Sequence, residues 1–151
     1  MLTADIATKR GNHKAALPAY RQAWDKAPSD QIGMKLYSSM RENGEPDATF
    51  AGFFDDWAEK IPGQLGTMTR AGHDLENGDL SRAQSSYQAL VAVNPNNAIA
   101  YNNLAWTYGE DALTESLKAS QRAYDLAPQS GEILDTYGWF LYKSGDIKKG
   151  L

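Results

Sequence analysis

Residues 102–110 read NNLAWTYGE, and residues 135–142 read DTYGWFLY. Each stretch places an apolar residue, a small residue and a tryptophan in a row, and the second run follows the first by 33 residues. Self-similarity at a fixed period of roughly 20 to 50 residues is the sequence signature of a repeat protein. We therefore expect the same period elsewhere in the chain.

Four prolines mark this period: Pro28, Pro62, Pro95 and Pro128, which lie 34, 33 and 33 residues apart. The residues eight positions before them are mostly aromatic, namely Tyr20, Phe54, Tyr87 and Ser120. The residues twelve positions before them are mostly small, namely Ala16, Phe50, Ala83 and Ser116. The residues ten positions after them are all small, namely Ser38, Gly72, Ala105 and Gly138. The spacing of the four prolines predicts repeat units at residues 29–62, 63–95 and 96–128, with partial units at 1–28 and 129–151.

Each unit carries two helical patterns. In the first, Tyr101, Leu104, Ala105 and Tyr108 follow the i, i+3, i+4, i+7 spacing of one helix face, and the stripe from Leu134 to Leu141 repeats it. A second helix with the same spacing follows in each unit, after a turn that contains glycine. A glycine in mid-helix costs roughly 1 kcal/mol relative to alanine. We therefore expect the small residues ten positions after each proline to receive aromatic rings of the paired helix.

These residues resemble the tetratricopeptide repeat (TPR) family. Its pattern is visible in Tyr101-x2-Leu104-Ala105-x2-Tyr108 and in Ala83-x3-Tyr87 before Pro95. The resemblance covers residues 1–151 and implies one all-α domain, a TPR-type α-solenoid. In that fold antiparallel helix pairs form a right-handed superhelix, here of about four repeats with incomplete ends. The unit 29–62 departs from the pattern, because an alternative stripe of Ile32, Leu36 and Met40 competes for its inward face.

A narrower resemblance concerns the C-terminal half. The string NPNNAIAYNNLAWTY and the later ILDTYGWFLYKSGD look like the last repeats of TPR proteins of the PEP-CTERM/exosortase systems. Those are bacterial envelope proteins linked to exopolysaccharide export and protein sorting. The resemblance thus implies a periplasmic or cell-envelope location, although the N-terminus MLTADIATKR has no apolar signal segment.

The two ends of the chain look incomplete as repeats. Residues 1–10 form only the end of a first helix, and a helix predicted from Asp146 stops at Leu151. Repeat stacks normally close with a polar cap, so the sequence predicts a fragment of a longer repeat protein. Exposed apolar ends favour an alternative role, a structural module that self-associates into a homo-oligomer.

The resemblance also implies where a partner binds, because first helices line the concave groove of such stacks. The side chains expected there are Lys35, Ser39, Thr69, His73, Asn102, Asn103, Trp106, Asp135, Trp139 and Tyr142. Aromatic and polar side chains of this kind suit an extended peptide or a partner helix. The other interpretation is that Trp106 and Trp139 pack between adjacent units, as aromatic residues at helical spacing often do.

One known TPR use, a clamp for peptide carboxylates, fits poorly. Asn103 matches one of its amides, but the following helix offers Glu132 and Thr136 where the clamp has basic residues. An acid there repels a carboxylate. Asn102 and Asn103 are then polar groups of the groove, able to bind a ligand backbone.

Composition excludes several other classes of function. The net charge is −4, and the fifteen Lys and Arg are scattered, so no basic face for nucleic acid is indicated. Cysteine is absent, and His73 with Glu76 gives only two metal ligands. No phosphate-binding glycine loop or HExxH motif is present. The sequence predicts a non-catalytic protein–protein interaction scaffold without cofactor, metal or membrane insertion.

Overall fold

The computed structural model describes residues 2–145, with side chains from residue 4 onward. Every regular element in that range is an α-helix, which confirms the all-α prediction. The helices are α1 (Leu2–Lys9), α2 (His13–Lys26), α3 (Asp30–Glu42), α4 (Asp47–Lys60), α5 (Gln64–Glu76), α6 (Leu80–Val93), α7 (Ala98–Tyr108), α8 (Leu113–Leu126) and α9 (Gly131–Lys143). The helix predicted from Asp146 lies outside the described residues.

The chain forms two compact units, Met1–Gly66 and Thr67–Leu151. In the first unit α2 packs against both α1 and α3, and α3 also contacts α4. In the second unit α7 packs against α6 and α8, and α9 packs against α8 and α7. The predicted organisation as a single domain stays a prediction.

The helix ends follow local chemistry. The helices α2, α4, α6 and α8 each end two residues before one of the four prolines that mark the period. Proline disfavours the helical conformation in the residue that precedes it, so the helix stops there. Side chains of Asn12, Ser29, Asp79 and Asn97 accept a hydrogen bond from the backbone N–H three residues later. Each of these caps satisfies one of the free N–H groups at a helix start.

The second helices bury the residues that the sequence predicted. The positions twelve and eight residues before each proline are at most 4% exposed. They are Ala16, Phe50, Ala83 and Ser116, and Tyr20, Phe54, Tyr87 and Ser120. This part of the period is confirmed.

The packing positions predicted for the first helices are confirmed only in part. Leu104, Ala105 and Leu141 are buried, and so is the alternative stripe of Ile32, Leu36 and Met40. Most of the small residues ten positions after each proline are not buried. Ser38 is exposed and Leu134 is 44% exposed. A Cβ atom added to Gly72 would meet only the hydroxyl of Tyr87, at 3.7 Å, and one added to Gly138 would meet no atom of the described residues within 4 Å. Of the four small residues, Ala105 alone is fully buried.

The buried stripe of the first helices starts one position earlier, at five, nine and twelve residues after each proline. Its buried members are Gly33, Tyr37, Met40, Ala71, Asp74, Ala100, Leu104, Thr107, Ile133 and Phe140. Successive residues of a helix point about 100° apart, but α7 is covered on more than one side because it packs against α6, α8 and α9. Leu104 and Ala105 are both buried for that reason. The residues of α7 therefore fit both the predicted stripe and the observed one.

A tight contact between an aromatic ring and glycine does exist, at different residues. Trp57 on α4 has no exposed surface. A Cβ on Gly33 would lie 2.7 to 2.8 Å from three atoms of its ring, and one on Gly66 would lie 3.1 Å from it. The indole N–H of Trp57 donates to Oδ1 of Asp30 at 3.0 Å. Trp57 therefore fills the space that two missing side chains leave on α3 and α5.

In the part of the chain that the structure describes, no helix combines the length and apolar character needed to cross a membrane.

Candidate partner-binding surfaces

The first helices α7 and α9 of the second unit contact each other and present one set of polar and aromatic side chains. On α9 the residues Glu132, Asp135, Trp139 and Tyr142 are spaced by three, four and three positions, so they form a single stripe. All four are exposed. We call these residues, together with Asn102 and Trp106 of α7, the α7–α9 surface.

Trp106 is partly packed against α9 and partly exposed. Its Nε1 donates to Oγ1 of Thr136 on α9 at 3.3 Å, and its ring lies 5.2 Å from that of Phe140. Even so, 42% of the residue is exposed. Trp106 therefore joins two first helices and keeps part of its aromatic surface exposed to solvent.

The aromatic and cation–π contacts of Trp139 within the described residues stay on its own helix. Its ring contacts there are with Tyr142, at 6.4 Å, and with Nζ of Lys143, at 4.7 Å, and both lie on the same helix. Trp139 is 41% exposed and Tyr142 is 61% exposed. Lys143 is held in place by an ion pair of 2.8 Å with Glu110.

The two asparagines predicted to meet a ligand are engaged with neighbouring side chains. Asn102 is only 2% exposed, and its Nδ2 donates to Oε1 of Glu132 at 3.5 Å and to Oδ1 of Asn103 at 3.3 Å. Its Oδ1 has no donor among the described residues. Asn103 donates to the hydroxyl of buried Tyr87 at 3.0 Å. These amides thus position Glu132 and Tyr87, and direct binding of a ligand by Asn102 would need a rearrangement.

The α7–α9 surface carries negative charge. Neither Glu132 nor Asp135 has a basic side chain within 4.0 Å among the described residues. The stretch 67–145 as a whole contains five Lys and Arg against nine Asp and Glu. An anionic ligand is therefore disfavoured here.

The first unit has a cleft of about 680 Å³, lined by residues of α1, α2 and α3 that include Lys35 and Ser39. Nζ of Lys35 lies 2.6 Å from Oδ1 of Asp5, and the hydroxyl of Tyr20 donates to the same oxygen at 2.9 Å. These two hydrogen bonds, the one from Lys35 above all, hold the pKa of Asp5 below its usual range. Burial, chiefly, raises the pKa of Tyr20. The charge of Lys35 is thus neutralised within the cleft, and Ser39 is buried and donates to the backbone oxygen of His13 at 3.3 Å.

The predicted groove residues on α5 lie in a more enclosed environment. His73 is 9% exposed, and its Nε2 and its backbone oxygen both pair with Nδ2 of Asn77, at 3.1 and 3.0 Å. Thr69 is half-buried. Within the described residues no group of three His, Cys, Asp or Glu side chains could hold a metal ion.

A buried carboxylate lies next to His73. Asp74 is 5% exposed, and burial raises its pKa. Arg82 at 3.6 Å and Arg70 at 4.0 Å counter that effect only in part. Its Oδ2 has no hydrogen-bond donor among the described residues. This group belongs to the packing of the second unit and is too buried to meet a partner directly.

The structure also brings into the candidate sites three residues that the sequence analysis did not assign to the groove. Glu132 extends the α9 stripe by one turn. It lies three residues before Asp135, and this spacing places both carboxylates on the same face of the helix. Asp5 and Tyr20 complete the polar side of the cleft. No local signal pointed to them, because the pairing of Asp5 with Lys35 joins residues that are 30 positions apart.

Comparison with known proteins identifies the fold. Residues 69–131 match the family model described as tetratricopeptide repeat. A TPR repeat-containing protein of Pseudomonas aeruginosa is 25% identical over 135 residues, which are 83% of this chain and 23% of that protein. The chain thus spans less than a quarter of that relative's length.

Solved structures show the same architecture. MamA from Desulfovibrio magneticus RS-1, starting at its residue 41, superposes with a TM-score of 0.78 at 22% identity over 98% of this chain and 85% of that one. A tetratricopeptide repeat protein from Parabacteroides merdae superposes with a TM-score of 0.80 at 14% identity over 98% of this chain and 60% of that one. The predicted fold class, that of TPR solenoid proteins, is confirmed.

Proposed function

Since residues 69–131 match the tetratricopeptide repeat model and the chain has the fold of TPR solenoids, we propose that it is a non-catalytic scaffold that binds a protein partner. The α7–α9 surface is the binding surface, and the ligand is a segment of the partner in extended or helical form. Partner recognition by aromatic anchors surrounded by polar groups is the general mode that this surface suits.

The observation that carries the proposal is the exposure of three large aromatic residues on one surface. Trp106, Trp139 and Tyr142 are each between 41% and 61% exposed. Covering apolar surface is favourable by about 25 cal/mol per Å², so these rings can supply much of the free energy of binding. Tryptophan and tyrosine are also the residues most enriched among those that dominate protein interfaces.

The chemistry of the surface supports binding rather than catalysis. Its charged side chains within the described residues are the carboxylates of Glu132 and Asp135, beside Lys143 in its ion pair with Glu110. No pair of nucleophile and general base, such as serine next to histidine, occurs on this surface in the part of the chain that is described.

Selection of peptides from a random dodecamer library on phage tests the proposal. The immobilised full chain should retain phage that the double variant Trp106→Ala/Trp139→Ala does not retain. A matched control is Leu80→Ala/Val93→Ala, which removes two exposed apolar side chains of α6. The control should capture as much phage as the original protein. Equal recovery from the Trp variant and the original protein would refute the proposal.

The resemblance of the stretch from Asn94 to Tyr108 to envelope TPR proteins supports a narrower setting. In this proposal the scaffold serves a bacterial exopolysaccharide-export or protein-sorting system of the cell envelope. Fractionation of the native bacterium should then find the parent protein with the envelope, and its recovery in the cytoplasmic fraction would exclude this setting.

A further inference from the structure

The α7–α9 surface offers hydrogen-bond acceptors and negative charge, but little positive charge. The helix α7 contains no charged residue, and α9 has only Glu132, Asp135 and Lys143. Lys143 is already paired with Glu110 at 2.8 Å. Two carboxylates, Glu132 and Asp135, are therefore left to face a partner. Carboxylates accept hydrogen bonds and do not donate them when ionised.

The carboxylate of Glu132 is oriented by a hydrogen bond from a buried side chain of α7. The buried amide of Asn102 donates to its Oε1 at 3.5 Å, from the neighbouring first helix. A long exposed side chain normally samples many rotamers, and this contact reduces that freedom. Asn102 is thus a positioning residue for Glu132.

The aromatic side of the surface is compatible with a cation as well. Nζ of Lys143 already lies 4.7 Å from the ring centroid of Trp139, within the range of a cation–π interaction. Arginine in particular stacks on tryptophan and pairs with carboxylates through its planar guanidinium group. A basic side chain can therefore contact both the acidic and the aromatic part of the α7–α9 surface.

We propose that the segment bound by the α7–α9 surface is basic. A lysine or arginine side chain of the partner pairs with Glu132 and Asp135, and an apolar side chain next to it in the partner packs on Trp106 and Trp139. This inference rests on the proposed function and specifies the chemistry of the partner. It also explains why the surface does not suit a peptide carboxylate, since the two acids repel one.

The phage selection, repeated with charge variants, tests this inference. The surface variant is Glu132→Gln/Asp135→Asn, and the matched control is Glu115→Gln/Asp125→Asn, which removes the same charge from exposed positions of α8. Peptides retained by the original protein and by the control should be enriched in Lys and Arg over the unselected library. On the surface variant this enrichment should be lost.

A selected peptide then gives the affinity. In fluorescence anisotropy, replacing its basic residue by glutamine should weaken binding about tenfold, as expected for a charge pair at an interface. The difference should shrink in high salt, which screens exposed charges. On Glu132→Gln/Asp135→Asn the two peptides should bind alike, while far-UV circular dichroism shows unchanged helicity.

The outcomes separate the two proposals. Peptides that depend on Trp106 and Trp139 but lack Lys and Arg would overturn the basic-segment inference and leave the scaffold function intact. Enrichment that persists on the surface variant would also overturn the inference, because the attraction would then lie elsewhere. If no retained peptide depends on the two tryptophans, both proposals are wrong.

Discussion

At the scale of single residues, neighbouring aromatic residues of α9 have opposite environments. Phe140 is fully buried, whereas Trp139 is 41% exposed. A ring of similar apolar character thus stabilises the fold at one position and is available for binding at the next. Sequence periodicity alone cannot separate these roles, because both residues are large, apolar and adjacent.

The two residues should respond differently to truncation. We expect Phe140→Ala to lower the free energy of unfolding by about 3 to 5 kcal/mol, since it leaves a cavity. Trp139→Ala should lower it by about 1 kcal/mol or less, because much of that ring already faces solvent. Urea unfolding of both variants measures the difference. A loss at Trp139 as large as that at Phe140 would show that Trp139 is a packing residue.

Asp74 should give the second unit a characteristic pH dependence. Because burial raises the pKa of Asp74, the folded state keeps this proton to higher pH than the unfolded state does. The stability linked to it is present at low pH and decreases as the pH rises above about 4, where an unfolded aspartate ionises. Asp74→Asn removes this dependence. The unfolding free energy of the variant minus that of the original protein should therefore increase from about pH 4 to neutral pH, and a constant difference would contradict this explanation.

At the scale of helices, Trp57 packs closely against Gly33 and Gly66 in the first unit. A methyl group on Gly33 would overlap the ring, which has no exposed surface and cannot move away without disturbing its neighbours. The usual gain in helix propensity on replacing glycine by alanine is therefore outweighed at this position.

The variant Gly33→Ala should lose about 1 to 3 kcal/mol of unfolding free energy through overpacking. Its matched control is Gly52→Ala in α4, where an added Cβ meets nothing within 4 Å. That control should gain up to about 1 kcal/mol, the difference in helix propensity. Chemical denaturation of both variants checks the pair. If Gly33→Ala were as stable as Gly52→Ala, the close contact with Trp57 would be incorrect.

The sequence predicts the packing of the second helices better than that of the first helices. The second helices were predicted correctly, because proline fixes their ends and the same two positions before it are buried in every unit. In the first helices glycine and alanine at residues 72, 105 and 138 indicated a packing stripe that is shifted by one position. The actual contact glycine, Gly33, was missed because its partner Trp57 lies 24 residues away in the sequence.

For the candidate site, sequence reasoning located the helices but not the exposure of each side chain. Trp106, Asp135, Trp139 and Tyr142 do lie on one surface. Ser39, His73 and Asn102 have the same repeat positions but are buried. Which neighbour covers a side chain depends on packing between helices that are far apart in sequence, and no local pattern records it.

At the scale of the whole molecule, the charge is unevenly distributed along the chain. Residues 1–66 contain eight Lys and Arg against nine Asp and Glu, whereas residues 67–151 contain seven against ten. Most of the excess of acid therefore belongs to the unit with the α7–α9 surface. Long-range attraction of a basic partner should favour that unit and decrease with ionic strength.

The central claim is that a partner binds on the α7–α9 surface, and the four indole N–H groups report on it directly. Trp24 and Trp57 are buried in the first unit, whereas Trp106 and Trp139 are exposed in the second. In a ¹H–¹⁵N correlation spectrum, with the indole signals assigned from Trp106→Phe and Trp139→Phe variants, a selected peptide is titrated into the full chain. The signals of Trp106 and Trp139 should move, and those of Trp24 and Trp57 should stay in place. Movement confined to Trp24 and Trp57, or no movement while the peptide binds, would contradict the claim.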